Sequence, residues 1–118
     1  MGAIVAQKFL SNGYQVFGLD IQDKPVIKEV NYFKCDITDD KKISEIAQSI
    51  SKKIEKLDAI ISLAGIYLMD SLLEIDNERL KKIIDINSLG SYRLVKNFFP
   101  LLKKKSKVII VSSEVGPL

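Results

Sequence analysis

Apolar residues recur along this chain in two periods, one typical of helices and one typical of buried strands. The clearest helical period falls in the middle of the chain. Its members are Ile43, Ile46, Ala47, Ile50 and Ile54. Either Asp39 or Asp40 can cap the start of this helix, because a carboxylate accepts hydrogen bonds from the first free backbone N–H groups.

Two further helices are predicted. Residues 2–12 form the first, with Asn12-Gly13 as a C-terminal stop. A long helix runs over residues 77–103, with Asp76 as its N-cap and a bend at Pro100. The apolar residues of the first helix lie on one face, which comprises Ile4, Val5, Phe9 and Leu10. On the long helix, one stripe is expected to be buried, and it comprises Leu80, Ile83, Ile84, Asn87, Ser91, Leu94, Val95 and Phe98.

Short apolar runs between the helices predict four strands. They cover residues 15–20, 32–36, 57–63 and 107–112. Gly18 leaves room for a helix to approach the first strand, and residues 21–30, with Pro25, form a loop in place of a shortened helix. The order α-β-β-α-β-α-β predicts one α/β domain over residues 1–118, an open parallel sheet with helices on both faces.

Composition narrows the possible functions. The net charge of +3 is too small to indicate a nucleic-acid or anionic membrane partner. No basic segment precedes an apolar one at the N-terminus, and the longest apolar run is about half of the roughly 20 residues of a membrane span. The absence of histidine and the single cysteine, Cys35, argue against zinc sites and histidine triads. We expect a cytoplasmic protein with a buried, structural Cys35.

Asp20 is the first candidate for chemistry. A carboxylate that ends a strand after the first helix is placed to accept both hydroxyls of an adenosine ribose, and it would repel a 2′-phosphate. The alternative is a solvated aspartate at a strand end.

Asn87 is the second candidate. It falls in the stripe expected to be buried on the long helix, where an amide without partners costs about 1–3 kcal/mol. Gly90, one turn later, allows another segment of backbone to come close. The alternative is a core asparagine bonded to a neighbouring strand.

Small polar residues end the last two strands. Ser62 to Gly65 provides small side chains where backbone could pass a flat ligand, and Ser112-Ser113 leaves the last strand at the same edge. Each is weak alone, since small residues end many strands.

Together these strings resemble the short-chain dehydrogenase/reductase family, over all 118 residues. Gly2 matches the last glycine of the family's Gly-x-x-x-Gly-x-Gly loop, and Asp20 matches the acidic residue that selects NAD over NADP. Asp36-Ile37 matches the pair that contacts adenine. Ala64 and Gly65 match the end of the Asn-Asn-Ala-Gly string, of which both asparagines are changed. The resemblance implies a Rossmann-like, doubly wound sheet and an NAD cofactor.

The resemblance also implies catalytic residues. Asn87 matches the asparagine that holds a proton-relay water, and Ser113 matches the serine that hydrogen-bonds the substrate oxygen. The implied reaction is hydride transfer between nicotinamide and a small alcohol or carbonyl substrate. The family often dimerises through the long helix, so self-association through residues 77–103 is an expectation.

The match stops short of the family's Tyr-x-x-x-Lys acid/base pair, which follows the serine. Tyr92 and Lys96 have that spacing but precede Ser113, so we interpret them as coincidence. The family's first strand, which lies between the strands ending at Asp20 and Gly65, is not matched either. We therefore expect a fragment of a longer enzyme, with little turnover by itself. The alternative is a non-catalytic nucleotide-binding remnant or interaction module.

Overall fold

Two pairs of parallel strands, with helices packed around them, make up the described part of the chain. The computed structural model describes residues 2–23, 25, 27–63 and 76–111. The helices are α1 (Gly2–Ser11), α2 (Asp40–Ser51), α3 (Asn77–Ile84) and α4 (Gly90–Phe98), with a π-helix (Asp85–Leu89) between α3 and α4 and a 3₁₀ helix (Phe99–Leu101) after α4. The strands are β1 (Phe17–Asp20), β2 (Asn31–Lys34), β3 (Leu57–Ser62) and β4 (Leu102–Ile110).

Both strand pairs are parallel, as the sequence predicts. β1 pairs with β2 from Phe17↔Asn31 to Asp20↔Lys34, without interruption. β3 pairs with β4, and the register shifts between Leu57 and Ala59. Within the described residues the pairs form two separate two-stranded sheets, which together are part of the predicted Rossmann-like α/β fold.

α2 provides most of the core, which confirms the helical period read from the sequence. The Asp39 carboxylate accepts a hydrogen bond from the Lys42 backbone N–H at 3.0 Å, so Asp39 is the N-cap. The fully buried residues of α2 pack with one residue after β2, one on β3 and one on α4. This cluster comprises Ile43, Ile46, Ala47, Ile50, Cys35, Ile60 and Phe98.

The predicted long helix begins at Asn77 with Asp76 as its cap, as expected, but it is neither uniform nor as long. The π-helix interrupts it, and the 3₁₀ helix containing Pro100 ends it at Leu101. β4 therefore starts at Leu102, five residues earlier than predicted, because Leu102 pairs with Leu57. Lys103 then forms an ion pair with Asp58 instead of ending a helix.

Three local expectations were wrong. A Cβ on Gly18 would meet Val30 at 3.0 Å, so the close neighbour of Gly18 is the segment before β2 and not a helix. Ile4 is 76% exposed and lies off the face that Val5 and Phe9 share. The first strands are also shorter than predicted, because they end where their pairing ends.

No helix in the described ranges combines the length and the apolar character that crossing a membrane requires.

Replacing Ile43 by alanine should lower the free energy of unfolding by about 2–5 kcal/mol, because Ile43 is fully buried in the α2 cluster. Ile4→Ala is the matched control, and a change within about 0.5 kcal/mol is expected at this exposed position. Urea unfolding followed by circular dichroism measures both. Equal losses for the two variants would contradict the assignment of the core.

Candidate functional site

A cleft of about 540 Å³ lies between β1 and β3, where the sequence analysis places the family's first strand, and both sheets line it. β1 lines it from one sheet and β3 from the other, and apolar residues of α1 and α4 complete the walls. Among the predicted site residues, Gly2, Asp20 and Ile37 line this cleft. Asp20 and Ser62 are the last residues of β1 and β3, so the cleft reaches the carboxyl ends of parallel strands, where open α/β sheets bind ligands.

Asp20 is exposed at the end of β1 and has a fixed backbone. Its carboxylate accepts a hydrogen bond from the Ile21 N–H at 2.7 Å. Its carbonyl oxygen accepts from the Cys35 N–H at 2.7 Å and from the Tyr32 hydroxyl at 3.0 Å. The single O–H of Tyr32 is shared between the carbonyl oxygens of Asp20 and Gln22. The turn that presents the Asp20 carboxylate is thus held by the neighbouring strand.

Tyr32 is a supporting residue that the sequence analysis missed. Desolvation raises the pKa of its hydroxyl, and the carboxylates of Asp20 and Asp23 raise it further. The hydroxyl therefore remains a donor at neutral pH. Tyr32 pairs with Gly18 in the register of β1 and β2, and no local pattern in the sequence marks it as a partner of the Asp20 carbonyl.

Asp36 and Ile37 lie in the turn after β2, separated from its last residue by Cys35. The Asp36 carboxylate accepts two hydrogen bonds from Thr38, at 2.9 Å from the backbone N–H and 2.8 Å from the hydroxyl. These bonds hold the pKa of Asp36 below its usual value. Partial burial raises this pKa, whereas the charges of Lys82 and Arg93 lower it further. Asp36 is therefore ionised at neutral pH. Its carboxylate also fixes the turn in which Ile37 lies.

Gly2 begins α1 beside the end of β3. A Cβ built on Gly2 would meet only Leu63 Cδ1, at 4.0 Å, among the described residues. The first turn of α1 is therefore open on the side of Gly2. Backbone N–H groups at the start of a helix are free to bind an anion, provided that one can approach closely.

Asn87 lies in the middle of the π-helix and is exposed, so the expectation of a buried amide was wrong. A π-helix has more residues per turn than an α-helix, so the α-helical spacing that placed Asn87 in the buried stripe does not hold at this turn. Burial resumes at Gly90, Ser91 and Phe98. π-Helical turns are rare and are frequent at functional sites. Asn87 does not line the cleft.

Gly90 permits a close approach, as predicted, but the neighbour is a side chain. A Cβ on Gly90 would lie 2.9 Å from Cγ2 of Ile37 and 3.0 Å from its Cγ1. The start of α4 therefore packs directly on the residue matched to the adenine contact.

Ser62 forms a buried polar pair that the sequence did not reveal. Its hydroxyl lies 2.8 Å from that of Ser91 on α4, and both residues are less than 7% exposed. The bond joins the end of β3 to the start of α4. No local pattern indicates it, because the two serines are 29 positions apart.

Cys35 is buried, as expected of a structural thiol. Burial raises its pKa, and the carboxylates of Asp39 and Asp36 add to the rise. A raised pKa reduces the thiolate fraction, so the site offers no activated nucleophile at this position.

The remaining sequence candidates divide into two groups. Ala64, Gly65 and Ser113 lie outside the described residues. Tyr92 and Lys96 are both on α4, where Tyr92 is 61% exposed and Lys96 forms an ion pair with Asp40 at 2.9 Å. The Lys96 ammonium also lies 5.6 Å from the centre of the Tyr92 ring.

The geometry can be compared with known proteins. A family profile described as enoyl-(acyl carrier protein) reductase matches residues 1–117. A 1-hydroxy-2-glutathionyl-2-methyl-3-butene dehydrogenase of Rhodococcus sp. (strain AD45) is 36% identical over 83 residues, which cover 70% of this chain and 37% of that protein. This chain belongs to the short-chain dehydrogenase/reductase family.

Two similar solved structures contain a bound nicotinamide cofactor. ElxO with NADP bound has a TM-score of 0.84 and 28% identity, over 95% of this chain and 50% of that one. A short-chain dehydrogenase from Leptospira borgpetersenii with bound NAD⁺ has a TM-score of 0.82 and 25% identity, over 92% and 45%. The chain thus spans half or less of the length of these relatives. One of these two relatives was solved with NADP and the other with NAD⁺, so the cofactors bound by the relatives differ.

Ser91→Ala should lower the free energy of unfolding by about 1–3 kcal/mol, because it leaves the Ser62 hydroxyl buried without its partner. The double variant Ser62→Ala/Ser91→Ala should cost less than the sum of the single losses. Ser51→Ala, at an exposed serine, is the control and should stay within about 0.5 kcal/mol. Additive losses in denaturant unfolding would show that the two hydroxyls are not coupled.

Proposed function

We propose that this chain forms the cofactor-binding part of an NAD-dependent oxidoreductase that oxidises an alcohol or reduces a carbonyl. The observation that carries the proposal is the meeting of Gly2, Asp20 and Ile37 at one cleft, in a chain matched to the family over residues 1–117. The fit to a dinucleotide rests on an exposed carboxylate at the end of β1 and an open helix N-terminus across the cleft.

The candidate cofactor-binding residues have the following roles in this proposal. Asp20 accepts hydrogen bonds from the adenosine ribose hydroxyls, and Asp36 and Ile37 lie beside the adenine. The backbone at Gly2, at the positive end of the α1 dipole, faces the pyrophosphate. Ala64 and Gly65, which lie outside the described residues, are proposed to contact the cofactor as well. The nicotinamide, when bound, supplies the hydride acceptor or donor.

The catalytic steps are proposed for a longer enzyme that contains this chain. Ser113 donates a hydrogen bond to the substrate oxygen and orients it, and Asn87 holds a water that relays the proton. A tyrosine of a Tyr-x-x-x-Lys pair exchanges that proton with the substrate oxygen. Neither Tyr92 nor Lys96 fills this role, since Lys96 is engaged by Asp40.

The proposed role of Asp20 is tested by comparing the binding of NAD⁺ with the binding of NADP⁺. A carboxylate beside the ribose accepts both hydroxyls and repels a 2′-phosphate, so Asp20→Ala should weaken NAD⁺ binding by about tenfold and narrow the preference over NADP⁺. Glu29→Ala, an exposed acidic residue on the connection between β1 and β2, is the matched control. Calorimetric titration of all three proteins with NAD⁺ and NADP⁺ measures the ratio. An unchanged ratio in Asp20→Ala would refute the assigned role.

Ser113 tests the catalytic half. In a longer expressed protein that carries this chain together with a Tyr-x-x-x-Lys pair, Ser113→Ala should lower kcat by about 10²–10³, the usual loss for one donor to a developing oxyanion. Ser112→Ala is the neighbouring control and should retain activity. Cofactor reduction with a panel of alcohols, followed at the absorbance of the reduced nicotinamide, provides the assay. Cofactor binding without turnover in the unaltered protein would instead favour a non-catalytic nucleotide-binding module.

A further inference from the structure

Arg93 joins two separate segments of the candidate site with one side chain. Its Nη1 donates to the Asp85 carbonyl oxygen at 3.2 Å and to the Ile37 carbonyl oxygen at 3.4 Å. Its Nη2 donates to the Asp85 carboxylate. The side chain is only 17% exposed, so these contacts form largely away from water. Hydrogen bonds to a charged donor are stronger than neutral ones under these conditions.

Asp85 is the first residue of the π-helix that contains Asn87. A π-helix is closed by i→i+5 backbone hydrogen bonds in place of the α-helical ones, and single π-helical turns are rare. Arg93 adds a donor to the Asp85 carbonyl oxygen at the start of this turn and pairs with the carboxylate of the same residue. The planar guanidinium is suited to this, because its donors diverge toward several acceptors at once.

The opposite end of the contact is the turn after β2. Arg93 holds the carbonyl of Ile37, while Gly90 receives the Ile37 side chain in close packing. The positive charge of Arg93 also contributes to the lowered pKa of Asp36. Residues of α4 therefore contact Ile37 directly and lower the pKa of Asp36 through charge, and these are the two residues matched to the adenine contact.

Attachment of α4 to this region does not require Arg93. Lys96 pairs with Asp40 at 2.9 Å, and the Asn97 amide donates to the same carboxylate at 3.0 Å. These contacts bind α4 to the start of α2 but do not reach the π-helix. Arg93 adds the link between Ile37 and Asp85, which is specific to the two parts of the site.

We propose that Arg93 is a positioning residue that couples the Asp36–Ile37 turn to the π-helix carrying Asn87. The adenine end of the cofactor site and the relay asparagine then keep one relative arrangement. The inference rests on the proposed function for its cofactor consequence, whereas the link between the two segments is a property of the chain without ligand.

Amide chemical shifts in the ¹⁵N-labelled full chain test the link without cofactor. A hydrogen bond to a carbonyl polarises the N–H of the following residue, so Thr38 and Ile86 report on the carbonyls of Ile37 and Asp85. Asp85→Asn should shift the Thr38 amide, although Asp85 makes its contact with Ile37 only through Arg93. In an Arg93→Lys background, Asp85→Asn should no longer move Thr38. An unmoved Thr38 in the single variant, or an equal shift in both backgrounds, would overturn the coupling.

Binding of NAD⁺ by the same proteins tests the consequence for the site. Arg93→Gln should weaken binding by about tenfold, a loss of about 1.4 kcal/mol. Lys96→Gln is the matched control, since it removes one α4 cation from the same turn but leaves the π-helix contact, and it should change affinity by less than about twofold. If Arg93→Gln does not fold, Arg93→Lys serves instead, because lysine keeps the positive charge but lacks the planar set of N–H donors of the guanidinium.

The outcomes separate this inference from the proposed function. Unaltered affinity in the Arg93 variants, with binding by the unaltered chain, overturns the role of Arg93 alone. No NAD⁺ binding by the unaltered chain contradicts the proposed function. In that case a coupled shift at Thr38 still supports the Arg93 link, and an uncoupled one overturns it.

Discussion

The apolar face of α2 is the contact on which the rest of the described structure depends. Ile43 and Ile50 are fully buried there, and residues from the end of β2, from β3 and from α4 pack on the same cluster. The two sheets share no hydrogen bonds within the described ranges, so this cluster holds them in one body. Each buried isoleucine contributes about 1.5–3 kcal/mol through removal of apolar surface from water.

α4 connects that core to the polar parts of the site. Phe98 on one side of the helix enters the cluster, and Ser91 bonds to Ser62 at the end of β3. Arg93, Lys96 and Asn97 lie along the side that faces the turn after β2 and the start of α2. Buried polar contacts of this kind have strict geometry, and they favour one arrangement of the packed elements over others. The apolar cluster therefore brings α4 into place, and the polar contacts fix its orientation.

The sequence predicted the features that depend on local pattern. The period of α2, the caps at Asp39 and Asp76 and the stop at Gly13 follow from neighbouring residues, and the structure has all of them. The sequence did not predict the features that depend on distant partners. β4 begins early because Leu102 pairs with Leu57, and Ser62 meets a serine 29 positions away. The π-helix was missed for a related reason, since the seven-residue spacing from Leu80 to Asn87 assumes an uninterrupted α-helix.

The same distinction separates the two halves of the candidate site. Asp20 ends β1 and Asp36 lies two residues after the end of β2, so a parallel sheet brings them to one edge once the strands are correctly assigned. Asn87 has no such guarantee, because its direction depends on where the helix widens and on what holds the widened turn. The contacts that Arg93 makes with Asp85 and Ile37 supply this restraint from a side chain six residues beyond Asn87. In this chain, the residues proposed to hold a cofactor follow from strand order, whereas the placement of Asn87 follows from the widened turn and from the contacts that Arg93 makes with Asp85 and Ile37.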